Sequence, residues 1–207
     1  MMPSLEAYAE AAGADVINHL RQLARPLAGA TVVHVNSTAV GGGVAEILGR
    51  LVPLKRELGL QASWEIVEGT PGFFSITKSF HNALQGSPVD LPRRRLDEYL
   101  DVNRRNAERL AAKLCEADFV LIHDPQPAAF AQFCPRRKGK WFWRCHIDAS
   151  HPQRSVWRYL RRLNPDLVPL WHGRAADYER IVGDIARRSA RPRDAPPSVL
   201  GLRPPAG

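Results

Sequence analysis

Four short stretches carry the residues best suited to chemistry. The first is His34-Val35-Asn36-Ser37-Thr38-Ala39-Val40-Gly41-Gly42-Gly43, where a glycine run follows the β-branched segment Thr31-Val32-Val33. Consecutive glycines let backbone N–H groups approach an anion closely, and a helix beginning there adds a favourable dipole. Gly41, Gly42 and Gly43 are therefore candidates to hold a phosphate or diphosphate, against the plainer reading of a tight turn with no ligand. The second stretch, His123-Asp124-Pro125-Gln126-Pro127, sets an imidazole beside a carboxylate. Neighbouring side chains on an extended segment point to opposite sides, so one is expected to face a crevice and the other to hold the loop. The third, Arg144-Cys145-His146-Ile147-Asp148, places His146 just past a strand, where an imidazole can bond a sugar hydroxyl or shape a leaving-group site. The fourth, His81-Asn82-Ala83-Leu84-Gln85-Gly86, offers carboxamides whose paired donors and acceptors suit vicinal hydroxyls, with helix capping as the alternative.

These residues need elements to position them. A helix is expected over 4–25, capped by Ser4, with Val16, Leu20, Leu23 and Leu27 as its apolar stripe. After the glycine turn, Val44, Ile47, Leu48, Leu51, Leu54 and Leu58 recur at helical steps, and Gly59 sits where a helix-ending glycine belongs. Ala62, Trp64 and Ile66 alternate as a second strand, and Phe73 to Leu84 reads as a helix. A long helix over 93–116 buries Leu96, Leu100, Ala107, Leu110 and Leu114. Phe119-Val120-Leu121-Ile122 is a continuous apolar run, as in a fully buried parallel strand. Lys140 to Cys145 supplies another strand, and 152–163 another helix with Val156, Leu160 and Leu163 on one side. Beyond Pro165 no strand pattern stands out; Tyr178 to Arg188 reads as helix and the Pro/Arg-rich end as disordered.

Strands alternating with helices predict an α/β fold: a Rossmann-like parallel sheet with helices on both faces. Ligands of such sheets bind beyond the C-terminal strand ends, where the loops at Asn36–Gly43, His123–Gln126 and His146–Asp148 fall. A dinucleotide fingerprint fits poorly, because Glu46 stands where the third glycine of G-x-G-x-x-G should be. No G-x-S-x-G, H-E-x-x-H or P-loop Lys-Ser/Thr motif occurs, and no metal or cofactor is expected.

With 207 residues and 44% hydrophobic composition, the chain can bury one substantial core. No signal peptide is visible at the first residues and no apolar span is long enough to cross a bilayer, so no membrane contact is expected. The three cysteines have no C-x-x-C spacing and an odd count, which fits a reducing, cytoplasmic setting. The net charge of +8 comes from clusters such as Arg93-Arg94-Arg95 and Arg136-Arg137-Lys138. Because acids are interleaved with many of them and aromatics are not, phosphorylated small molecules explain the charge better than nucleic acid does.

Taken in order, His34-Val35-Asn36-Ser37-Thr38, Gly41-Gly42-Gly43-Val44-Ala45-Glu46-Ile47-Leu48, Thr77-Lys78-Ser79-Phe80-His81-Asn82-Ala83-Leu84-Gln85-Gly86, His123-Asp124-Pro125-Gln126-Pro127 and Trp143-Arg144-Cys145-His146-Ile147-Asp148 resemble trehalose synthases of the glycosyltransferring type. These are relatives of the retaining family 4 glycosyltransferases, which have the two-domain GT-B fold. The resemblance covers about residues 1–164 and implies the N-terminal, acceptor-side GT-B domain. It implies transfer of glucose from a nucleotide-glucose to the anomeric hydroxyl of glucose, giving trehalose with retained α configuration. It also implies Gly41, Gly42 and Gly43 against the donor diphosphate and His146 as the catalytic residue beside the transferred sugar. His81, Asn82, Gln85, Asp124, Arg144 and Asp148 would contact sugar hydroxyls. The partners expected are glucose and nucleotide-glucose, with a homo-oligomer or a complementing C-terminal domain left open. The pattern departs after residue 164: the paired glutamates of an E-x7-E motif and a second Rossmann-like domain are not found in 165–207. The expectation is therefore a shortened enzyme with little or no activity alone, or a non-catalytic sugar- or phosphate-binding module.

Overall fold

The computed structural model describes residues 4–163 and the backbone of 168–171. Five parallel strands, β1 (Thr31–Asn36), β2 (Gln61–Ile66), β3 (Phe119–His123), β4 (Lys140–Cys145) and β5 (Val168–Trp171), form one sheet in the order β2-β1-β3-β4-β5. Register is fixed along its centre, with Val33 against Val120 and Ile122 against Trp143. Alternation along each strand divides two cores. Val33, Val35, Val120, Ile122, Trp141 and Trp143 face the larger one, whereas Val32, Ala62, Phe119 and Leu121 face the smaller. The expected α/β fold, a Rossmann-like parallel sheet covered on both faces as in an N-terminal GT-B half, is the one observed.

The helices are α1 (Leu5–Ala12), α2 (Ala14–Ala24), α3 (Gly43–Glu57), α4 (Pro71–Leu84), α5 (Arg93–Glu116), α6 (Phe130–Phe133) and α7 (Arg154–Leu163). Val52 of α3 packs into the smaller core, and α4 to α7 fill the larger one. The start of α4 is set by chemistry the sequence carries: the Thr70 hydroxyl accepts from Phe73 N at 3.0 Å, and Pro71 takes the first turn.

Three expectations are corrected. The helix over 4–25 is two helices, because Gly13 takes φ of 90° between them, and a short 3-10 turn at Arg25–Leu27 follows. Its stripe differs as well: Val16, Leu20 and Leu23 are exposed, and the buried residues of α2 are Ile17 and Ala24. A strand does occur past residue 164, since Val168–Trp171 pairs with β4. Pro169 disguises it, having no N–H for a ladder, and such residues belong on edge strands. The expected helix at Tyr178–Arg188 and the disorder of the end lie outside the described residues.

Candidate functional site

The order of strands creates the site. Chain direction across the sheet reverses between β1 and β3, so the loops leaving these two strands diverge and open a crevice at their C-terminal ends. A cleft of about 420 Å3 lies there. One wall is the turn after β1 with the start of α3, from Asn36 through Gly41, Gly42 and Gly43 to Ile47. His81, Asp124, His146 and Ile147 supply the rest.

Gly41 and Gly42 adopt φ of 74° and 84°, a region that side chains disfavour, and they turn the chain directly into α3. No side chain caps that helix, so first-turn N–H groups remain available to an anion. Gly43 has ordinary φ, and a Cβ placed on it would meet nothing within 4 Å. Its missing side chain leaves open space on the cleft wall.

The loop after β3 is held from three sides. Asp124 is the sole described non-glycine residue with positive φ, at 61°. Its N–H donates to Arg144 O at 2.9 Å, its carbonyl accepts from Trp143 Nε1 at 2.9 Å, and its carboxylate accepts from His146 N at 2.7 Å. From beneath, the Tyr99 hydroxyl donates to Pro125 O at 2.7 Å and Asn103 Nδ2 donates to Gln126 O at 3.1 Å. Burial, opposed by the His146 N–H and the Arg144 charge, pushes the Asp124 carboxyl up to about 6. Asp124 thus faces the cleft, while His123 turns to the opposite side and is buried.

Beneath the cleft floor runs a chain of basic groups. Lys55 Nζ lies 2.9 Å from His34 Nε2, His34 Nδ1 lies 2.9 Å from His123 Nε2, and His123 Nδ1 lies 2.9 Å from His146 Nε2. The rings overlap in sequence, with centroids 5.2 Å apart at each step. Burial is the main cause holding His34 down to about 2 and His123 down to about 3, with neighbouring Lys55, His123 or His146, and Arg144 adding to it. Both imidazoles are neutral at ordinary pH. Burial, then Arg144, brings Lys55 down to about 8. The sequence reading places His34 at the head of the first stretch without a role, and it passes over Lys55. The signal was a histidine on a buried parallel strand, on the face that Val32 turns to α3.

Of the residues chosen from sequence, Gly41, Gly42, Gly43, His81, Asp124 and His146 meet in the cleft. Asn82, Gln85, Arg144 and Asp148 do not line it. The Gln85 N–H donates to His81 O one turn earlier at 3.2 Å. The His81 pKa is lowered chiefly by burial, then by Lys78, with Gln85 opposing them. Arg144 projects from β4 beside His123 and acts on the histidine chain through its charge. Asp148 is exposed and accepts from both Ser150 N and Ser150 Oγ, at 3.0 and 2.6 Å, which lowers its pKa. Among the described residues, no group of three or more His, Cys, Asp or Glu side chains is placed to hold a metal ion.

Residues 34–167, which contain every lining residue of the cleft, match the family model described as the N-terminal domain of trehalose synthase. The chain belongs to the trehalose synthase family. Over 159 residues it is 48% identical to a trehalose synthase of Pyrococcus horikoshii, an alignment covering 76% of this chain and 38% of that protein. It is 47% identical over 148 residues to a trehalose synthase of Rubrobacter xylanophilus, covering 70% of this chain and 36% of the relative. A trehalose phosphorylase of Pleurotus pulmonarius is 30% identical over 182 residues, 77% of this chain and 24% of its own length. This trehalose synthase-family chain therefore spans little more than a third of the curated trehalose synthases it matches.

Proposed function

We propose that the chain is the acceptor-side half of a retaining glycosyltransferase that moves glucose from a nucleotide-glucose to glucose, forming trehalose. The observation that carries this reading is the meeting of the glycine turn, His81, Asp124 and His146, from four separated stretches, in one cleft at the sheet's switch point. In the proposed reaction the bond from the sugar's anomeric carbon to the diphosphate breaks. A bond to the acceptor's anomeric oxygen forms on the same face, and the hydroxyl proton leaves with the nucleoside diphosphate.

First-turn N–H groups at Gly43 and beyond would meet the diphosphate, whose charge the α3 dipole favours. His146 would lie beside the transferred glucosyl group, with Asp124 and His81 bonding hydroxyls. Asn82, Gln85, Arg144 and Asp148 would serve around this ring rather than within it. Arg144 sets the local charge. Transition-state stabilisation needs donors on both sides of the departing diphosphate, so a second, donor-binding domain is required to enclose it.

The test uses the purified 207-residue chain with nucleotide-glucose and glucose, followed by calorimetry and by chromatography of products. Expected are saccharide binding that His146→Ala removes and no trehalose from this chain by itself. Trehalose from the isolated chain would contradict the need for a second domain. A folded chain binding neither glucose nor nucleotide-glucose would contradict the assignment of the cleft.

A further inference from the structure

We propose that Lys55, outside the cleft and beneath its floor, is a positioning residue that fixes the tautomer of three successive histidines and so makes His146 carry its proton on Nδ1. The geometry leaves two orders for the hydrogen bonds. With Lys55 as an ammonium, Nζ can only donate, so His34 Nε2 must accept. A neutral His34 then bears its proton on Nδ1 and donates to His123 Nε2. His123 in turn donates from Nδ1 to His146 Nε2, and neutral His146 is left with its proton on Nδ1. A charge on α3 is thereby read out at a residue that lines the cleft, through two buried rings that stay neutral.

Among the described residues, the charged groups placed against this chain come from three elements. Lys55 enters from α3, Arg144 from β4, and the Asp124 carboxylate from the loop after β3, where it accepts the backbone N–H of His146. Arg144 works with Lys55, since both disfavour a second positive charge on either buried ring. Lys55 gives the chain a direction, because an ammonium can only donate. The whole chain reverses when four protons move: one crosses each of the three hydrogen bonds, from Lys55, His34 and His123, and the fourth passes from His146 Nδ1 to an acceptor, with an amine and three Nε2–H imidazoles left behind. The value of this to a ligand rests on the cleft assignment above, but its test needs no ligand.

The test is histidine-selective 15N–1H NMR of the full chain, which distinguishes Nδ1–H from Nε2–H imidazole by ring nitrogen shifts. Expected at pH 6.5–7 are Nδ1–H tautomers at His34, His123 and His146. As Lys55 deprotonates near pH 8, the amine accepts as readily as it donates, and the Nε2–H form favoured by free imidazole becomes populated at all three together. Lys55→Met is expected to show that Nε2–H form already at pH 7. Nε2–H signals at these residues in the unaltered chain at pH 7 would overturn the proposal. So would a pattern unchanged between pH 6.5 and 9.5, or one that Lys55→Met leaves intact. If Lys55→Met does not fold, the titration of the unaltered chain decides alone. A lack of glucose binding would count against the cleft assignment without touching this result.

Discussion

At the scale of single residues, Asp124 combines an unfavourable backbone with an unfavourable charge. Its φ of 61° is tolerated by Asp and Asn better than by most side chains, and its carboxylate anchors the His146 backbone at 2.7 Å. Burial raises its pKa from 3.8 to about 6, so the folded state binds a proton that the unfolded state has released between those values. Stability contributed by this group is therefore greatest below about pH 4 and falls as pH rises through 6, by roughly 3 kcal/mol at the full shift. Asp124→Asn keeps an acceptor for His146 N–H and removes the titration. Urea unfolding at pH 4, 6 and 8 is expected to show the variant gaining on the unaltered protein as pH rises; a constant difference would contradict the assignment. For His146→Ala, turnover by a chain supplied with a donor-binding domain is expected to fall about 10²–10³-fold, measured as trehalose formed per minute.

Among the elements, the glycine turn separates what the fold needs from what a ligand needs. Gly42→Ala forces a side chain into positive φ and is expected to cost about 1–2 kcal/mol of stability. Gly43→Ala meets no neighbour and favours a helical start, so stability should stay within about 1 kcal/mol or improve. Its Cβ would occupy the space proposed for the diphosphate, and nucleotide-glucose binding should weaken at least tenfold by calorimetry. Equal losses in both variants, or unchanged binding in Gly43→Ala, would count against the phosphate role. The long helix α5 acts at a distance: Tyr99→Phe removes the buried hydroxyl donor to Pro125 O, which keeps the N–H of Ala128 at 3.3 Å, an expected loss of about 0.5–1.5 kcal/mol in thermal or urea unfolding.

The same elements show which features can be read in sequence. The turn, α3 and the buried strands were legible because glycine chemistry and hydrophobic period are local signals. Asn103 and Asn106 were not, since they sit on the buried side of a helix whose leucines and charges dominate the pattern. Besides bonds within their own helix, they hold partners far off in sequence: Asn103 bonds Gln126 O, and Asn106 clasps Glu68 N and O. Val16, Leu20 and Leu23 misled for the reverse reason, as an apolar stripe says nothing of what covers it. The His34–His123 contact joins residues 89 apart in sequence and needs the sheet order to be known.

For the molecule as a whole, charge and topology have different consequences. Much of the basic excess on α5 is met by acids: Arg104 pairs with Asp101 and Glu108, Arg105 with Asp101, and Arg109 with Glu68. These exposed pairs add little stability but reduce the charge open to a polyanion. No helix among the described residues is long and apolar enough to cross a membrane. The parallel sheet brings residues from four stretches to the C-terminal ends of its strands, where the proposed donor-binding domain would close. The most direct measurement joins this chain to the remaining, C-terminal portion of the Pyrococcus horikoshii trehalose synthase and follows trehalose from nucleotide-glucose and glucose. Trehalose made by the chimaera and lost in its His146→Ala form is the predicted result. A folded chimaera that makes none, or one whose output His146→Ala leaves unchanged, would contradict the central claim that this cleft holds the transferred sugar.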